Sequence, residues 1–305
     1  MSIAVQAVTK LYGEQKALDN VTFEVRTGEI VGFLGPNGAG KSTMMKIITG
    51  FIPATSGTVM INGLEISDEH AIELKKHIGY LPENNPLYPE MYVREYLTFA
   101  ASLYGLRHNI KNQINKVIEV TGLVPEQKKK IGSLSKGYRQ RVGLAQALIH
   151  NPDILILDEA TSGLDPNQIV EIRNLIREAG REKTIMLSTH IMQEVEAICD
   201  WVIIIDKGRI VADEIKENIY SKITRKKQTI QVEFDKDIIS QELESLPGRL
   251  KITKINDKNF IVETEGEKDI RPDIFSFAVK NNLTVLSMQK EESSLEDVFR
   301  QLTAG

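Results

Sequence analysis

One stretch of nine residues constrains the fold of this chain more than any other: Gly35, Pro36, Asn37, Gly38, Ala39, Gly40, Lys41, Ser42 and Thr43. It follows an apolar, strand-like run at residues 30–34 and opens a helix-like segment. In this setting the glycines let backbone N–H groups converge on phosphate oxygens, Lys41 adds a positive charge, and the Ser42 hydroxyl can coordinate Mg²⁺. A glycine turn that only caps a helix is the plainer alternative, but the order of strand, loop and helix favours a phosphate cradle. The chain is therefore predicted to bind a nucleoside triphosphate.

A second motif lies at residues 154–159, where four aliphatic residues end in Asp158 and Glu159. Such an apolar run is typical of a buried parallel strand, which brings the two carboxylates out at its C-terminal end beside the phosphate loop. Asp158 is suited to hold Mg²⁺, and Glu159 to accept a proton from an attacking water. Alone, an acidic pair often just ends a strand. Together with the phosphate loop it indicates triphosphate hydrolysis.

The first part of the chain, to about residue 225, alternates β-branched runs with helical periods, which predicts an α/β fold with a parallel sheet covered by helices. The predicted strands are residues 3–8, 21–25, 30–34, 58–61, 154–157, 184–187 and 202–205. The turn dipeptides at residues 62–63 and 207–208 predict antiparallel hairpins. Helices at residues 93–104 and 110–121 predict an inserted helical subdomain at about residues 85–150.

A polar, basic segment at residues 221–228 separates two predicted domains, residues 1–222 and 229–305. Beyond it the strand and helix patterns follow the order βαββαβ, which predicts a small α+β domain of ferredoxin-like layout. Its predicted elements are strands at residues 230–234, around 252, at 260–262 and at 284–288, and helices at 238–246, 274–280 and 295–302.

Composition argues against several classes of protein. Of the 305 residues 41% are hydrophobic, but the apolar runs are strand-sized, so no segment is expected to span a membrane. The first residues lack the basic and apolar regions of a secretory signal, and the single Cys199 permits no disulfide within the chain, so a cytoplasmic location is expected. Residues 229–305 carry 15 Asp and Glu against 10 Lys and Arg, which argues against a nucleic acid partner.

Further motifs occur in an order that makes residues 1 to about 220 resemble the ATP-binding subunit of an ABC transporter. They are a signature-like run with Leu134, Ser135, Lys136, Gly137 and Tyr138, a D-loop with Asp165, a switch histidine, His190, and an adenine-stacking aromatic, Tyr12. Taken singly, Ser135 and Asp165 are ordinary helix caps, while His190 and Tyr12 are an ordinary loop residue and strand-edge residue. Their combination carries the resemblance.

The resemblance implies a P-loop ATPase that uses ATP and Mg²⁺, with Glu159, His190 and Lys41 at the reacting phosphate. The expected Mg²⁺ ligands are Ser42, Asp158 and Glu83. In this family two subunits face head to tail, so each triphosphate lies between the phosphate loop of one copy and the Ser135 turn of the other. A homodimer formed through nucleotide, a separate integral-membrane permease, export, and a position at the cytoplasmic face of the inner membrane are implied as well.

Three positions depart from the commonest family pattern: Lys136 replaces a glycine, Tyr138 replaces a glutamine, and Glu83 stands where the Q-loop glutamine is expected. The carboxylate of Glu83 can either ligate Mg²⁺ or repel the phosphates. These departures, and the C-terminal domain, resemble the branch that works with ABC-2-type membrane subunits, including sodium-export and drug-resistance types. Residues 81–88 and 134–150 are most similar to the gliding-motility-associated ATP-binding subunit.

Three other functions are less well supported. Soluble ABC proteins that act on ribosomes or DNA usually carry two cassettes or a long coiled-coil insertion, whereas this chain has one cassette and no heptad run. A binding module that senses ATP without hydrolysing it is disfavoured by the presence of Glu159 and His190. A GTPase is disfavoured because the sequence contains no Asn-Lys-x-Asp motif for reading guanine.

Overall fold

The computed structural model of the chain describes residues 2–67, 69–106, 108–216, 218, 228–243, 246, 250–264, 269–291 and 299. The chain forms two compact units, residues 1–216 and residues 217–305. In the part of the chain described, no helix combines the length and the apolar character that crossing a membrane requires.

Strands and helices alternate through the first unit, as the sequence predicts. Its described strands are β1 (Ile3–Tyr12), β2 (Gln15–Val25), β3 (Ile30–Leu34), β4 (Ser56–Ile61), β5 (Leu64–Glu65), β6 (Ile78–Leu81), β7 (Ile154–Asp158), β8 (Thr184–Thr189), β9 (Trp201–Asp206) and β10 (Arg209–Ile215). Its described α-helices are α1 (Lys41–Ile48), α2 (Ala71–His77), α3 (Val93–Leu103), α4 (Ile110–Val120), α5 (Lys136–Leu148), α6 (Pro166–Gly180) and α7 (Met192–Ile198). A 3₁₀ turn, Ile131–Ser133, precedes α5.

Six of these strands form the central sheet, in the spatial order β10-β9-β3-β8-β7-β6. All neighbours pair in parallel except β9 and β10, which form the antiparallel hairpin predicted at residues 207–208. Every residue of β3, β7 and β8 is buried, as expected for parallel strands covered on both faces. The carboxyl ends of these three strands lie side by side, and the predicted site residues follow them.

A second, antiparallel sheet has the order β2-β1-β4-β5 and shares an apolar core with the central sheet. Phe23 of β2 contacts Phe33 of β3, with ring centroids 5.5 Å apart. Strands β1 and β2 extend well beyond the predicted residues 3–8 and 21–25, because they continue into a hairpin. Leu11 and Tyr12 in this extension are exposed, so no hydrophobic periodicity marks it in the sequence.

Helices α3, α4 and α5 lie within the range predicted for a helical subdomain, and α3 and α4 each end one residue short of the predicted helix. Helix α2 and strand β6 are not among the predicted elements. Strand β6 pairs with β7 at the edge of the central sheet. Glycine usually weakens a strand, and β6 contains Gly79. The structure requires glycine at this position, because a Cβ would collide with the backbone oxygen of Ala147.

The second unit contains β11 (Gln228–Phe234), a short helix α8 (Ser240–Leu243), β12 (Leu250–Lys254), β13 (Asn259–Thr264), α9 (Arg271–Lys280) and β14 (Val285–Glu291). Its strands form one antiparallel sheet in the order β12-β13-β11-β14, which is the split βαβ arrangement of a ferredoxin-like layout. Phe234, Phe260 and Ile274 are buried in its own core. The predicted helix at residues 295–302 and the predicted linker at residues 221–228 lie almost entirely outside the described residues.

Candidate functional site

The phosphate loop connects the buried strand β3 to helix α1. Gly38 and Gly40 adopt positive φ angles of 81° and 108°, a conformation that glycine reaches without steric cost. Gly40 also has no room for a side chain, because a Cβ there would lie 2.6 Å from the backbone oxygen of Ala17. The loop therefore forms an open turn of backbone N–H groups at the start of α1, a geometry that binds anions.

Lys41 lies across its own loop. Its Nζ donates hydrogen bonds to the backbone oxygens of Gly35 at 2.8 Å and Pro36 at 3.2 Å. The same nitrogen lies 3.5 Å from Oε1 of Glu159, and both side chains are buried. Burial weakens solvent screening, so the charge of Lys41 acts strongly on both the loop and the acidic residue.

Asp158, the last residue of β7, is almost wholly buried. Its Oδ1 accepts a hydrogen bond from Ser42 Oγ at 3.2 Å and another from the hydroxyl of Ser188 in β8. Burial raises the pKa of Asp158 above its usual value, and the two hydroxyl hydrogen bonds act in the opposite direction.

The oxygen atoms of Ser42 and Asp158 fit Mg²⁺. Among the residues that the structure describes, no three His, Cys, Asp or Glu side chains cluster as a metal site. Mg²⁺ rarely uses such a cluster, because it usually takes one or two protein oxygens and completes its shell with phosphate and water. A serine hydroxyl and a carboxylate joined at 3.2 Å beside the phosphate loop match that ligand set.

Glu159 follows β7 in a left-handed backbone conformation, with a φ of 51° that is uncommon for a residue with a side chain. Its N–H donates to the backbone oxygen of Ser188 at 3.1 Å, and its own backbone oxygen accepts from the N–H of Ser162 at 3.0 Å. These bonds hold the turn and place Oε2 of Glu159 2.7 Å from Nδ1 of His190. The carboxylate therefore lies between the two cationic or donor groups of His190 and Lys41.

A cavity of about 760 Å³ opens beside Asp158 and Ser42. Glu83 lines the same cavity and is exposed to solvent. The structure thus brings Glu83 to the same cavity as the other two predicted Mg²⁺ ligands. Within the described contacts, however, no hydrogen bond joins its carboxylate to either one. The hydroxyl of Tyr80 is buried at this cavity, where burial and the charges of Asp158 and Glu83 raise its pKa.

Tyr12 ends β1 at the tip of the β1–β2 hairpin, where it pairs with Gln15. Half of its surface, 50%, is exposed, and Lys10 Nζ lies 5.4 Å from the centre of its ring. The same hairpin passes the phosphate loop, since Ala17 lies against Gly40. The structure therefore places an open aromatic ring on the element next to the loop.

The signature-like turn begins helix α5. Ser135 is its N-cap, and its Oγ accepts a hydrogen bond from the N–H of Tyr138 at 3.3 Å. Asp165 caps α6 in the same way, accepting from the N–H of Gln168 at 3.0 Å. Gly137 is buried against the Gln168 side chain, which leaves no space for a Cβ. Ser135 and Asp165 therefore both act as helix caps. Among the described residues, no hydrogen bond or ion pair joins the signature-like turn to the phosphate loop of the same chain.

Two other signature residues tie the turn to its surroundings. Leu134 is buried, and its backbone oxygen accepts a hydrogen bond from Arg139 at 2.5 Å. Lys136, which replaces the usual glycine, extends over Gly163 of the D-loop, so that a Cβ at Gly163 would strike its Nζ. The unusual lysine therefore brings the signature turn and the D-loop of one chain into contact.

Comparison with known proteins assigns this site to a family. The profile of the ABC transporter family matches residues 18–162. The bacitracin transport ATP-binding protein BcrA of Bacillus licheniformis is 36% identical over 301 residues, which cover 98% of this chain and 96% of that protein. The chain belongs to the ATP-binding subunits of ABC transporters. The linearmycin resistance ATP-binding protein LnrL of Bacillus subtilis (strain 168) is 32% identical to this ABC subunit, over 99% of this chain and 98% of that protein.

Solved structures share the fold of this ABC subunit, which confirms the predicted fold class. An ATP-binding subunit of an ABC transporter is 31% identical with a TM-score of 0.66, covering 73% of this chain and 93% of that one. The cassette MJ0796, in a dimeric post-hydrolysis structure with ADP and Pi, is 27% identical with a TM-score of 0.65, covering 70% of this chain and 98% of that one. As an ABC ATPase, the chain binds and hydrolyses ATP, as the sequence predicts.

The second unit defines the branch of the family. Residues 214–303 match the profile described as the C-terminal domain of ATP-binding proteins similar to DrrA1-3. The ABC subunit therefore lies in the DrrA-like, ABC-2-type branch, as its departures at positions 83, 136 and 138 indicate.

Four polar residues that shape this ABC site are not among the predicted site residues. Ser188 donates to Asp158, and its only signal was a hydroxyl at the carboxyl end of a predicted strand. Thr161 and Thr189 both donate to Glu194, which is wholly buried on α7. Apolar residues follow Glu194 one and four positions later, so the missed signal was an acid within the apolar stripe of a helix.

Proposed function

We propose that this ABC subunit hydrolyses ATP with Glu159 as the general base and thereby drives a separate membrane permease in export. The observation that carries the proposal is the position of the Glu159 carboxylate. One oxygen lies 3.5 Å from Lys41 Nζ and the other 2.7 Å from His190 Nδ1. A carboxylate held between these two donors is oriented to take the proton of a water that attacks the γ-phosphate, because the contacts restrict its rotation.

The remaining site residues bind and orient the nucleotide in this proposal. Backbone N–H groups within residues 37–43 hold the phosphates, and Lys41 exchanges its contacts with its own loop for phosphate oxygens. Ser42 and Asp158 hold Mg²⁺, with Glu83 as a further oxygen ligand from the same cavity. When bound, Mg²⁺ neutralises charge on the β- and γ-phosphates. Tyr12 offers its exposed ring to adenine.

We also propose that two copies face head to tail through ATP. Ser135 and Lys136 are exposed at the N-terminus of α5, where backbone N–H groups and the lysine favour an anion. Since no contact described within the chain joins this turn to the chain's own phosphate loop, its phosphate is expected to come from a second copy. The dimeric structure of the MJ0796 cassette, with ADP and Pi bound, supports the formation of a dimer.

Mixing two inactive variants tests the shared site. Lys41→Ala removes the phosphate loop's charge, and Ser135→Arg blocks the partner-facing turn. Each variant alone should be inactive because every site of its homodimer is damaged. In mixed dimers, one site combines an intact Lys41 with an intact Ser135, so mixing should restore part of the ATPase activity. If two folded variants stay inactive when mixed over a range of ratios, the head-to-tail arrangement is wrong.

The cavity beside Asp158 supports a permease partner. Its rim carries Phe51, Ile72 and Leu103, which are 73%, 78% and 70% exposed. A monomeric protein seldom exposes such a group of large apolar side chains without a partner. We propose that a cytoplasmic segment of the permease inserts here, which would place the ABC subunit at the cytoplasmic face of the inner membrane. Because Asp158 and Glu83 line the same cavity, the bound segment would respond to nucleotide.

Substitutions at the cavity rim test this docking. Phe51→Asp or Leu103→Asp should release the subunit from membranes that contain its permease, while ATP hydrolysis by the free subunit changes little. Val170→Asp, at an exposed apolar position on α6 away from this cavity, is the control. Equal membrane binding by all three variants and the parent would show that the permease does not dock at this cavity.

The cargo is proposed to be an antibiotic that is exported. The names of the bacitracin transport and linearmycin resistance relatives support export. The narrower gliding-motility assignment rests on residues 81–88 and 134–150 and stays a prediction. Deleting the gene should increase sensitivity to such antibiotics if the exporter proposal is right, and should abolish surface movement without changing sensitivity if the gliding assignment is right.

The second unit is proposed to regulate or pair subunits. It contains no phosphate motif, its core is its own, and its charge is acidic. A chain that ends at Lys216 should therefore still bind ATP, because every residue placed in the site lies within residues 1–216. Loss of ATP binding in such a truncation, shown to be folded by circular dichroism, would contradict a separable second domain.

A further inference from the structure

A buried carboxylate lies one layer behind the Glu159–His190 pair. Glu194, on α7, has no exposed surface. One of its oxygens, Oε2, accepts a hydrogen bond from Thr189 Oγ1 at 2.6 Å, and the other, Oε1, accepts one from the hydroxyl of Thr161. Both threonines are buried as well. Each hydroxyl has a single proton to donate, so both protons are committed to Glu194.

The two threonines belong to the two segments that carry the reacting groups. Thr161 lies two residues after Glu159, in the turn that holds the unusual φ of 51°. Thr189 directly precedes His190, and its Oγ1 also accepts a hydrogen bond from the N–H of Ile191 at 3.0 Å. Glu194 therefore closes a ring of contacts that runs from Glu159 through His190 and Thr189 and returns through Thr161.

The two hydroxyl contacts of Glu194 match a carboxylate acceptor. Burial raises the pKa of Glu194 above its usual value, and the Thr189 hydrogen bond and the positive charge of Arg173 offset only part of that rise. Glu159 and His190 face it as the other charged or titratable groups. Two hydroxyl donors on two different oxygens are the pattern expected for a carboxylate, which accepts at both.

We propose that Glu194 is a positioning residue that fixes the distance between Glu159 and His190 by holding Thr161 and Thr189 at set positions. The inference rests on the proposed roles of Glu159 and His190. Glu194 itself touches neither the nucleotide loop nor the reacting carboxylate in the contacts described. Its loss should therefore leave ATP binding unchanged and lower the rate of hydrolysis, because a small displacement of a catalytic group costs rate more than affinity.

Threonine substitutions test this more cleanly than removal of the buried acid. Thr161→Val keeps the shape of the side chain and removes its hydroxyl, and it should lower kcat about tenfold or more with little change in KM for ATP. Thr161→Ser restores the hydroxyl and should recover most of kcat. Thr121→Val is the matched control, because Thr121 is equally buried but donates to the backbone of its own helix, α4. Glu194→Gln, with one accepting oxygen left, should lower kcat as Thr161→Val does.

Two further measurements separate positioning from a merely structural role. The double variant Glu194→Gln/Thr161→Val should be no slower than the slower single variant, because both changes break the same ring. The imidazole ¹⁵N resonance of His190, identified by its loss in His190→Ala, should shift in Thr161→Val and stay unchanged in Thr121→Val.

Contrary results are equally specific. An unchanged kcat in folded Thr161→Val, losses that multiply in the double variant, or a higher KM at normal kcat would overturn the role of Glu194. If Glu159→Gln hydrolyses ATP at the parental rate, the proposed general base is wrong, whatever Thr161→Val does. Failure of the inference and failure of the proposed function are therefore distinguishable.

Discussion

Nδ1 of His190 lies 2.7 Å from Oε2 of Glu159, although 31 positions separate the two residues in sequence. The pair follows the ends of two neighbouring parallel strands, β8 and β7, whose register sets Asp158 opposite Ser188. The N–H of Glu159 also donates to the backbone oxygen of Ser188, so strand pairing continues into the turn. The pairing of β7 with β8 therefore sets the backbone positions of Glu159 and His190, and these positions bring the two side chains into contact.

Replacing the proposed base tests its chemistry. Glu159→Gln keeps the size of the side chain but removes its ability to accept a proton, so kcat should fall ~10²-fold or more while ATP binding persists. Phosphate release and nucleotide titration measure the two quantities. Glu182→Gln, an exposed glutamate in the loop before β8, is the control and should hydrolyse ATP normally. A Glu159→Gln enzyme with parental kcat would exclude Glu159 as the base.

Removing the ring of Tyr12 should weaken ATP binding. If the half-exposed ring stacks on adenine, Tyr12→Ala should cost about 1 to 3 kcal/mol of binding free energy, as base stacking on aromatic side chains does elsewhere. Tyr12→Phe retains the ring and should bind nearly as well as the parent. Titration with ATP measures all three. Equal affinities would make Tyr12 a hairpin residue only.

The Mg²⁺ dependence of the ATPase should depend on the charge at position 83. Glu83→Gln retains an oxygen ligand and should shift the Mg²⁺ requirement modestly, whereas Glu83→Ala removes the ligand and should depress turnover much more. The measurement is ATPase rate against Mg²⁺ concentration for both variants and the parent. Three identical curves would show that Glu83 is a solvated residue of the cavity rim.

Acid should destabilise the first unit through His150. This residue stacks on Tyr104 at 3.7 Å, its Nε2 lies 3.1 Å from the backbone oxygen of Ile78, and burial lowers its pKa from 6.5 to about 4. Since the folded state favours the neutral ring, its contribution is fully present above pH 6.5 and is lost as the pH falls toward 4.

A variant that cannot titrate isolates this contribution. His150→Phe keeps an aromatic ring against Tyr104, so its free energy of unfolding should fall less between neutral pH and pH 4 than that of the parent. Urea unfolding followed through the fluorescence of the single tryptophan, Trp201, reports on this unit. Parallel pH profiles of the free energy of unfolding for the two proteins would show that the pKa of His150 is the same in the folded and unfolded states.

The fold could be predicted largely because strand burial and loop chemistry leave clear patterns. The run at residues 154–157 is apolar at every position, so the central strand and the acids after it were predictable. The phosphate loop needs glycine at Gly40 for both its φ and the contact with Ala17, so the structure and the motif agree. In contrast, β6 was missed because its Gly79 is required by close packing and not by a turn.

The residues that hold the site in place could not be predicted, because their contacts depend on strand register and on segments that are distant in the sequence. Thr161, Thr189 and Glu194 have no characteristic spacing, and only the folded chain brings them together. The same holds for the contact between Lys136 and Gly163, which joins two motifs that the sequence treats separately. Motifs therefore identified the residues that are proposed to contact ATP, whereas the structure identified the residues that hold them in place.

ATP is proposed to join two copies of this chain, which separate when a water deprotonated by Glu159 cleaves the γ-phosphate from ATP. Sedimentation velocity of Glu159→Gln protein with and without Mg-ATP tests it most directly. The variant should be a monomer without nucleotide and a dimer with Mg-ATP, because trapped ATP cannot be hydrolysed, and adding Ser135→Arg should return it to a monomer. A protein that stays monomeric with Mg-ATP at high concentration, or that dimerises equally with Ser135→Arg, would contradict the account.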